Sequence, residues 1–248
     1  MHINTTGLVL RETAYKESSK ILTVLTGKEG KLTVTARGAT RKNSKLAAAA
    51  QLLVFSEMTL FNNRDRWTLT EARSIEQFRG LQFNVADLAL GSYFAELTEA
   101  VADEDSPNPQ LLPLCLNALF ALSEGVKEAM YVKPAFEFRL MAVSGYSPLI
   151  SHCSLCGREN PERAFLDLAG GTLNCTDCSP SGGAPLNRSA LSAARYIISC
   201  DPKRIFSFSL GNEALGEIAA AAEGYLQEQL GRRFRTLEFF KQLKTVES

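Results

Sequence analysis

Apolar and polar residues alternate in short runs along the first third of the chain. Between residues 31 and 37, for example, Leu32, Val34 and Ala36 share one face and polar side chains occupy the other. This period of two, together with flanking glycines, predicts β-strands. Five such strands are predicted, at 6–11, 20–26, 31–37, 53–61 and 67–75. Five strands in about 75 residues is the size of a small closed barrel or sandwich.

The pattern changes to a helical period after residue 84. Leu90, Phe94, Leu97 and Val101 fall on one helical face, and Asn84 precedes them as an N-cap. Further helices are predicted around 112–119, 136–143, 187–199, 212–230 and 236–244. Between 149 and 186 the helical period is lost and Cys, Gly and Pro accumulate. We therefore predict a β domain at 1–80 and a helical domain at 81–248 that is interrupted at about 149–186.

Charge divides the chain at the same place. The 248 residues carry no net charge, but residues 1–80 hold 13 Lys and Arg against 7 Asp and Glu, whereas residues 81–248 hold 14 against 20. The first domain is thus the candidate for contacts with phosphates. No apolar run approaches the ~18 residues of a membrane helix. We expect no membrane contact and a cytoplasmic chain, where thiols stay reduced.

Four of the six cysteines form a regular pattern. Cys153 and Cys156 make one CxxC, Cys175 and Cys178 make a second, and 18 residues separate the two pairs. This spacing is typical of a zinc site, in which four thiolates form a tetrahedron and leave no open position, so the metal is expected to be structural. Two alternatives are disulfide pairing, which a reducing compartment disfavours, and a redox CxxC, which would need a βαβ unit that the pattern lacks.

Cations are concentrated in the predicted β domain. Eight are candidates for contact with a nucleic-acid backbone: Lys28, Lys31, Arg37, Arg41, Lys42, Lys45, Arg64 and Arg66. Tyr15, Phe55, Phe61 and Trp67 lie near them in sequence. Cations with aromatic faces between them suit single-stranded nucleic acid, because they neutralise the backbone and stack on bases. The alternative is that the cations only solvate a surface and that the aromatic residues belong to the core.

The sequence lacks several motifs that are typical of enzymes. It contains no Walker A, GxGxxG or HExxH motif, and His2 and His152 are its only histidines. With only two histidines, a catalytic site of the Ser-His-Asp or Cys-His type is therefore not expected. A zinc-dependent nuclease or deaminase is disfavoured too, because four thiolates leave no place for a reacting water. We do not expect an enzyme.

Short motifs from the first strand to the last helix carry a resemblance to a known family. They are, in chain order, Gly7-Leu8-Val9-Leu10, Tyr15-Lys16-Glu17-Ser18, Gly30-Lys31, Ala36-Arg37-Gly38-Ala39 with Arg41, Tyr93 and Glu96, Phe136-Glu137-Phe138-Arg139-Leu140, Gly145-Tyr146-Ser147-Pro148, the four cysteines with Gly170-Gly171, and Leu230-Gly231 with Phe240 and Leu243. The chain resembles the RecO family of bacterial recombination mediator and DNA repair proteins.

The resemblance implies an α+β multidomain fold, with an N-terminal OB-fold β-barrel followed by an α-helical domain that carries an inserted zinc knuckle. It implies binding of single- and double-stranded DNA and annealing of complementary strands. It also implies that the chain acts in the nucleoid together with the RecR protein and the single-stranded DNA-binding protein. In this role the chain would help to load the RecA recombinase. The alternative function is a zinc-stabilised protein-interaction adaptor whose contact with DNA is secondary.

Overall fold

The computed structural model describes residues 1–64, 66–104, 107–179 and 182–246. It divides into two compact units. Unit 1 contains Met1–Glu124 and Phe234–Ser248, and unit 2 contains Gly125–Arg233. This division differs from the predicted boundary after residue 80, because the helix Val85–Val101 packs on the barrel and the helix Arg235–Val246 packs on Val85–Val101. Residues 180 and 181 of the predicted knuckle lie outside the described residues.

Unit 1 begins with a closed five-stranded barrel. Its strands are β1 (His2–Tyr15), β2 (Ser19–Thr26), β3 (Lys31–Ala36), β4 (Phe55–Asn63) and β5 (Arg66–Glu76). They close in the order β1-β2-β3-β5-β4, with β3 and β5 parallel and the other pairs antiparallel. The alternating apolar residues fill the interior, where Val9, Leu22, Val24, Val34 and Leu60 are fully buried. The five predicted strands are confirmed, and the closed barrel is consistent with an OB-fold.

Six α-helices follow within the described residues. They are α1 (Val85–Val101), α2 (Leu111–Ser123), α3 (Ala129–Val143), α4 (Arg188–Ser199), α5 (Asn212–Leu230) and α6 (Arg235–Val246). Asn84 caps α1 as predicted, since its side chain accepts hydrogen bonds from the backbone N–H groups of Ala86 and Asp87. Gly231 ends α5 with a φ of 59°, a left-handed conformation that glycine adopts without steric cost. None of the described helices combines the length and the apolar character that crossing a membrane requires.

Specific contacts explain why α1 and α6 belong to the barrel unit. The Nζ of Lys31, at the start of β3, donates to the backbone carbonyl of Glu99 in α1 at 3.0 Å. The ring of Tyr93 in α1 meets the ring of Phe234 edge-on, with centroids 5.9 Å apart. Phe234 immediately precedes α6 and is buried. The last helix therefore returns to the unit in which the chain began.

Unit 2 holds a small β-sheet within a helical frame. The strands are β6 (Leu149–Cys153), β7 (Arg163–Leu166), β8 (Thr172–Cys175) and β9 (Ala184–Asn187), in the sheet order β6-β8-β7-β9. Strands β6 and β8 are parallel neighbours, while β7 pairs antiparallel with β8 and β9. The sequence predicted a loss of helical periodicity and a cysteine site in this segment, but not the four-stranded sheet that the structure shows there.

Candidate metal centre and nucleic-acid interface

The four cysteines of the two CxxC motifs meet at one end of the small sheet. Cys153 is the last residue of β6 and Cys175 is the last residue of β8. Because these strands are parallel neighbours, both CxxC turns leave the sheet at the same end. The four Sγ atoms, which include those of Cys156 and Cys178, all lie within 4.8 Å of one another. The predicted constellation is therefore assembled in space.

The sulfur geometry fits a tetrahedral metal ion. Bonds of about 2.3 Å from zinc to sulfur place neighbouring sulfurs of a tetrahedron about 3.8 Å apart. The Sγ atoms of Cys156 and Cys175 are 3.8 Å apart. A disulfide would need about 2.05 Å, and all six cysteines are free thiols. The donor set therefore suits a metal ion that prefers sulfur, and disulfide pairing does not occur.

Ionisation of the cluster also favours a cation. The backbone N–H of Cys175 donates to the Sγ of Cys153 at 3.3 Å, and this hydrogen bond is the main reason that the pKa of Cys153 is lowered to about 6. The pKa of Cys178 is raised to about 12, because its thiol hydrogen-bonds to the sulfurs of Cys156 and Cys175. Four thiolates this close repel one another unless a positive charge lies between them. A bound cation would supply that charge.

Arg195 of α4 holds the chain on both sides of the first CxxC motif. Its Nε donates to the carbonyl of Ile150 at 2.7 Å, and one terminal nitrogen donates to the carbonyls of Ser151 and Glu159 at 2.8 and 2.6 Å. The other terminal nitrogen reaches the side chain of Asn160 at 3.1 Å. Sequence analysis missed Arg195, because nothing local indicates that a helical arginine bonds to carbonyls some 40 residues earlier.

Residues around the cluster do not enlarge the ligand set. His152 is exposed, and its Nδ1 is 2.9 Å from the hydroxyl of Ser151. Arg158 follows the first CxxC motif, Asp177 lies inside the second, and the two form an ion pair at 2.5 Å. Among the described residues, the group suited to a metal consists of the four cysteines. With four protein ligands the site has no open position for a reacting molecule.

The topology separates the eight candidate cations into two groups. The first follows β3 and is called the loop group: Arg37, Arg41, Lys42 and Lys45. The second is called the turn group, and its members lie in or beside the β2–β3 and β4–β5 turns: Lys28, Lys31, Arg64 and Arg66. Strand β3 separates Lys28 and Lys31 from the loop group, since Lys31 begins the strand and Arg37 follows it. Six residues of strand correspond to about 20 Å.

The loop group lies beside the β1–β2 turn. The backbone N–H of Thr40 donates to the carbonyl of Ser18 at 3.2 Å, and the Nε of Arg41 donates to the hydroxyl of Ser18 at 3.3 Å. The β1–β2 turn contributes an exposed Tyr15 and the exposed Lys16, whose Nζ lies 5.2 Å from the centre of the Tyr15 ring. Lys16 thus adds a cation to this end of the barrel, a residue that the sequence-based list of cations omitted.

Most of these cations project into solvent. Seven of the eight are exposed, and Lys31 is half-buried because its Nζ is hydrogen-bonded to α1. Among the residues that the structure describes, none of the eight forms an ion pair. By contrast, Arg11 and Lys20 of the same barrel pair with Glu99 and Glu12. Exposed cations without acidic partners remain available to a polyanion.

The aromatic residues near the cations divide between core and surface. Trp67 is half-buried and packs against the barrel core, and Phe61 stacks on His2 with ring centroids 4.6 Å apart. Phe55 is also half-buried. Tyr15 is 39% exposed at the end of the barrel that carries the loop group. For Trp67 the alternative of a core role is confirmed, whereas Tyr15 presents a ring to solvent.

Comparison with known proteins identifies relatives along nearly the whole chain. The family model described as recombination protein O N terminal matches residues 1–78, and the model described as recombination protein O C terminal matches residues 82–238. Relatives named DNA repair protein RecO include one from Caldicellulosiruptor bescii, which is 30% identical over 96% of this chain and 98% of its own length. Another, from Acetivibrio thermocellus, is 28% identical over 99% of this chain and 98% of its own length.

The fold, the cluster and these matches define the class of the molecule. It is a DNA repair and recombination protein, built from a five-stranded barrel of OB type, a helical region and a four-cysteine cluster able to hold a metal ion. More narrowly, the chain belongs to the RecO family. The resemblance that the motifs indicated is therefore confirmed.

Proposed function

We propose that this chain is a DNA-binding recombination mediator in DNA repair. It binds single- and double-stranded DNA, anneals complementary strands and helps to load a recombinase onto single-stranded DNA that is coated with single-stranded DNA-binding protein. The observation that carries the proposal is the loop group, four exposed cations that form no ion pair among the described residues, at one end of an OB-type barrel. Membership of a family of DNA repair proteins supports it.

Electrostatics explains how such a surface can anneal strands. Contacts between guanidinium or ammonium groups and phosphates release condensed counterions, which favours binding of any sequence. Complementary strands repel each other through their phosphates, and a cationic surface that holds both of them reduces this repulsion. Base pairing then proceeds between the strands themselves. The mechanism requires no covalent step, in keeping with a role that is not enzymatic.

The proposal includes zinc as the ion of the four-cysteine cluster, with Cys153, Cys156, Cys175 and Cys178 as its ligands. Bound zinc would supply a positive charge that keeps all four sulfurs ionised and cross-links β6, β8 and their turns. The cations of the barrel belong to unit 1 and the cluster belongs to unit 2. We therefore assign the metal a structural role in unit 2.

The proposal also includes protein partners. From the resemblance we take the RecR protein and the single-stranded DNA-binding protein as direct partners, and the RecA recombinase as an indirect one. Family membership supports this part of the proposal. Under the adaptor alternative, the chain would bind the same protein partners, and its contact with DNA would be secondary.

A titration of labelled single-stranded DNA with the purified chain at several salt concentrations tests the proposal. If about five phosphates are contacted, log affinity falls against log salt with a slope of about −3.5. The variant Arg37→Ala/Arg41→Ala/Lys42→Ala should flatten the slope by about 2 and weaken binding to all sequences alike. The matched control is Arg73→Ala/Arg163→Ala/Arg188→Ala, which removes three exposed arginines that are already paired with carboxylates.

Two results would overturn the proposal. Binding that does not respond to salt would exclude phosphate contacts as its source. A loop-group variant that behaves as its matched control does would show that these cations take no part. If the purified chain binds no DNA in a gel shift but still binds its protein partners, the adaptor alternative replaces the proposal.

A further inference from the structure

An aromatic ring and the loop group lie on the same face of the barrel. Tyr15, the last residue of β1, is directly opposite Ser19, the first residue of β2. Side chains of directly opposite residues in an antiparallel pair lie on one face of the sheet. The Oγ of Ser19 accepts a hydrogen bond from the backbone N–H of Gly38 at 3.3 Å. Gly38 lies between Arg37 and Arg41, so the face that carries the Tyr15 ring also borders the loop group.

This face is the outer face of the barrel. Leu22 of β2 belongs to the core, and strand side chains alternate, so Ser19 three positions earlier points outward. Arg37 directly follows Ala36, a core residue at the end of β3, and its own side chain is exposed. Because β2 and β3 are antiparallel neighbours, the end of β3 lies beside the start of β2. Tyr15, Ser19 and Arg37 therefore share one end of the outer face.

Helix α1 occupies the other end of this outer face. Arg11 of β1 donates to the hydroxyl of Thr23 of β2 at 3.3 Å and forms an ion pair with Glu99 of α1 at 2.9 Å. The Nζ of Lys31, at the start of β3, donates to the backbone carbonyl of the same glutamate. In contrast, Tyr15 is 39% exposed. A ligand on this face would therefore bind at the end that Tyr15 and the loop group share.

A cation accompanies the exposed ring. The Nζ of Lys16 lies 5.2 Å from the centre of the Tyr15 ring, within the distance of about 6 Å at which a cation is attracted to an aromatic face. The turn between β1 and β2 contains one acid, Glu17, whereas the loop group next to it supplies four cations. An exposed ring offers a base a surface on which to stack, and a phosphate next to that base would meet the Lys16 ammonium group.

We infer that Tyr15 stacks on a base of single-stranded DNA bound by the loop group, and that this contact makes the site prefer single strands to duplexes. Lys16 contacts the adjoining phosphate. The bases of a duplex are paired and stacked on one another, so the ring does not reach their faces, whereas both kinds of DNA offer phosphates to the loop group. The inference rests on the proposed function and names the residue that sets its strand preference.

Substitution of the ring tests the inference. Tyr15→Leu keeps an apolar side chain but removes the aromatic face. We expect it to weaken binding to oligo(dT) roughly 5- to 100-fold without a change in salt dependence, and to leave binding to duplex DNA unchanged. Tyr15→Phe keeps the ring and should bind as the wild type does. The matched control is Tyr146→Leu, because Tyr146 is a tyrosine of similar exposure, 42%, in unit 2.

The lysine beside the ring has a different signature. Lys16→Gln should flatten the salt dependence of oligo(dT) binding by about 0.7, the contribution of one phosphate contact on a single strand. Tyr15→Leu should not flatten it, because stacking releases no counterions. If Tyr15→Leu lowers affinity for oligo(dT) and for duplex DNA by the same factor, the ring does not select single strands and the inference is overturned.

Photocrosslinking of the wild-type chain supplies a readout that does not depend on any variant. Oligo(dT) that carries 5-iododeoxyuridine reacts under light with aromatic side chains on which the modified base stacks. Mass spectrometry of the digested complex should then locate the crosslink at Tyr15. Crosslinks that map only to other residues would overturn the inference, and so would the absence of any crosslink.

The failure of this inference is distinguishable from the failure of the proposed function. If the variant Arg37→Ala/Arg41→Ala/Lys42→Ala loses binding while Tyr15→Leu matches its control, the stacking contact does not exist and the proposed function stands. If the wild-type chain binds no DNA in a salt-dependent way, both fail together. Thermal unfolding of each variant verifies that it is folded before it is compared.

Discussion

Glu96 and Thr236 lie 140 positions apart in the sequence and are joined by two hydrogen bonds, both accepted by one carboxylate oxygen of Glu96. Thr236 is the second residue of α6, so the carboxylate caps this helix from a neighbouring helix. An N-terminal cap is normally supplied by the residue just before the helix. Here the residue in that place is the buried Phe234, which has no side-chain acceptor. The packing of α6 on α1 therefore includes a directional polar contact.

Loss of this cap should destabilise the chain. We expect Glu96→Ala to lower the free energy of unfolding by about 1–2 kcal/mol, since the acceptor of two hydrogen bonds is removed. Glu96→Gln keeps an acceptor oxygen, so its free energy of unfolding should fall by less than that of Glu96→Ala. Thermal or denaturant unfolding measures both, and equal stability of Glu96→Ala and the wild type would contradict the assigned role.

Lys133, Glu137 and Glu223 form a buried ionic group in unit 2. The Nζ of Lys133 lies 2.8 Å from Glu137 and 2.9 Å from Glu223, and Glu137 is fully buried. Lys133→Met removes the ammonium group that lies 2.8 Å from the buried carboxylate of Glu137, and we expect a loss of about 3–5 kcal/mol in denaturant unfolding. Lys203→Met, at an exposed position, should change stability by less than about 0.5 kcal/mol. If Lys133→Met lowers the free energy of unfolding no more than this control does, the charge of Lys133 does not stabilise the fold.

The same group predicts a pH dependence. Burial alone would lower the pKa of Lys133, but the carboxylates of Glu137 and Glu223 outweigh burial and raise it above the ordinary value of 10.5. A raised pKa in the folded state contributes stability that is fully present below the unfolded-state pKa and is lost as pH rises through the folded-state pKa. As the pH rises from neutral, the stability difference between the wild type and Lys133→Met should therefore begin to shrink only above pH 10.5. Unfolding curves that converge between neutral pH and this value would be inconsistent with the raised pKa.

Arg195 should control the mobility of the first CxxC segment. Arg195→Ala removes hydrogen bonds to three carbonyls and one side chain, with an expected cost of about 2 kcal/mol. Hydrogen exchange of backbone amides between residues 150 and 160 should become faster. Arg188→Ala, on the same helix, removes only a pair between two exposed side chains and serves as the control. Identical exchange in both variants would refute the tethering role.

Removal of a cysteine ligand should affect metal content and stability together. We expect Cys153→Ser to lower bound zinc, measured by elemental analysis, and to lower the melting temperature of unit 2. Chelation of the wild type should produce the same change in melting. Cys200→Ser alters a thiol outside the cluster and should do neither. A variant that loses its metal but melts as the wild type does would make the metal incidental to folding.

Local sequence patterns predicted the five strands of the barrel, but they predicted the first and last residues of these strands less well. The alternation in β3 extends over the whole strand, and the predicted end differs from the observed end by one residue. Strand β1 is much longer than predicted, from His2 to Tyr15, because it pairs with β4 along its first half and with β2 along its second. It passes between these partners through a bulge near Val9. Such dual pairing depends on distant strands and leaves no local periodic signal.

The four-cysteine cluster was predictable from spacing, whereas the structure around it was not. Two residues between cysteines suffice for one turn to offer two sulfurs, so the ligand set follows from a local rule. The strands around it have only four or five residues, too few for a period of two to be distinguished from a loop. Similarly, the cations of the barrel could be counted in the sequence. Which of these cations lie near one another depends on how the strands pair around the barrel.

The return of α6 to unit 1 makes that unit discontinuous in sequence. During synthesis the barrel and α1 leave the ribosome before unit 2 does. The face of α1 that contacts Phe234 is therefore not covered by that residue until unit 2 has been synthesised. Unit 2 is one continuous segment and can close while the first unit is still incomplete. Completion of unit 1 therefore requires that unit 2 has already been synthesised, and a nascent chain arrested before residue 234 would expose an apolar helix face to chaperones.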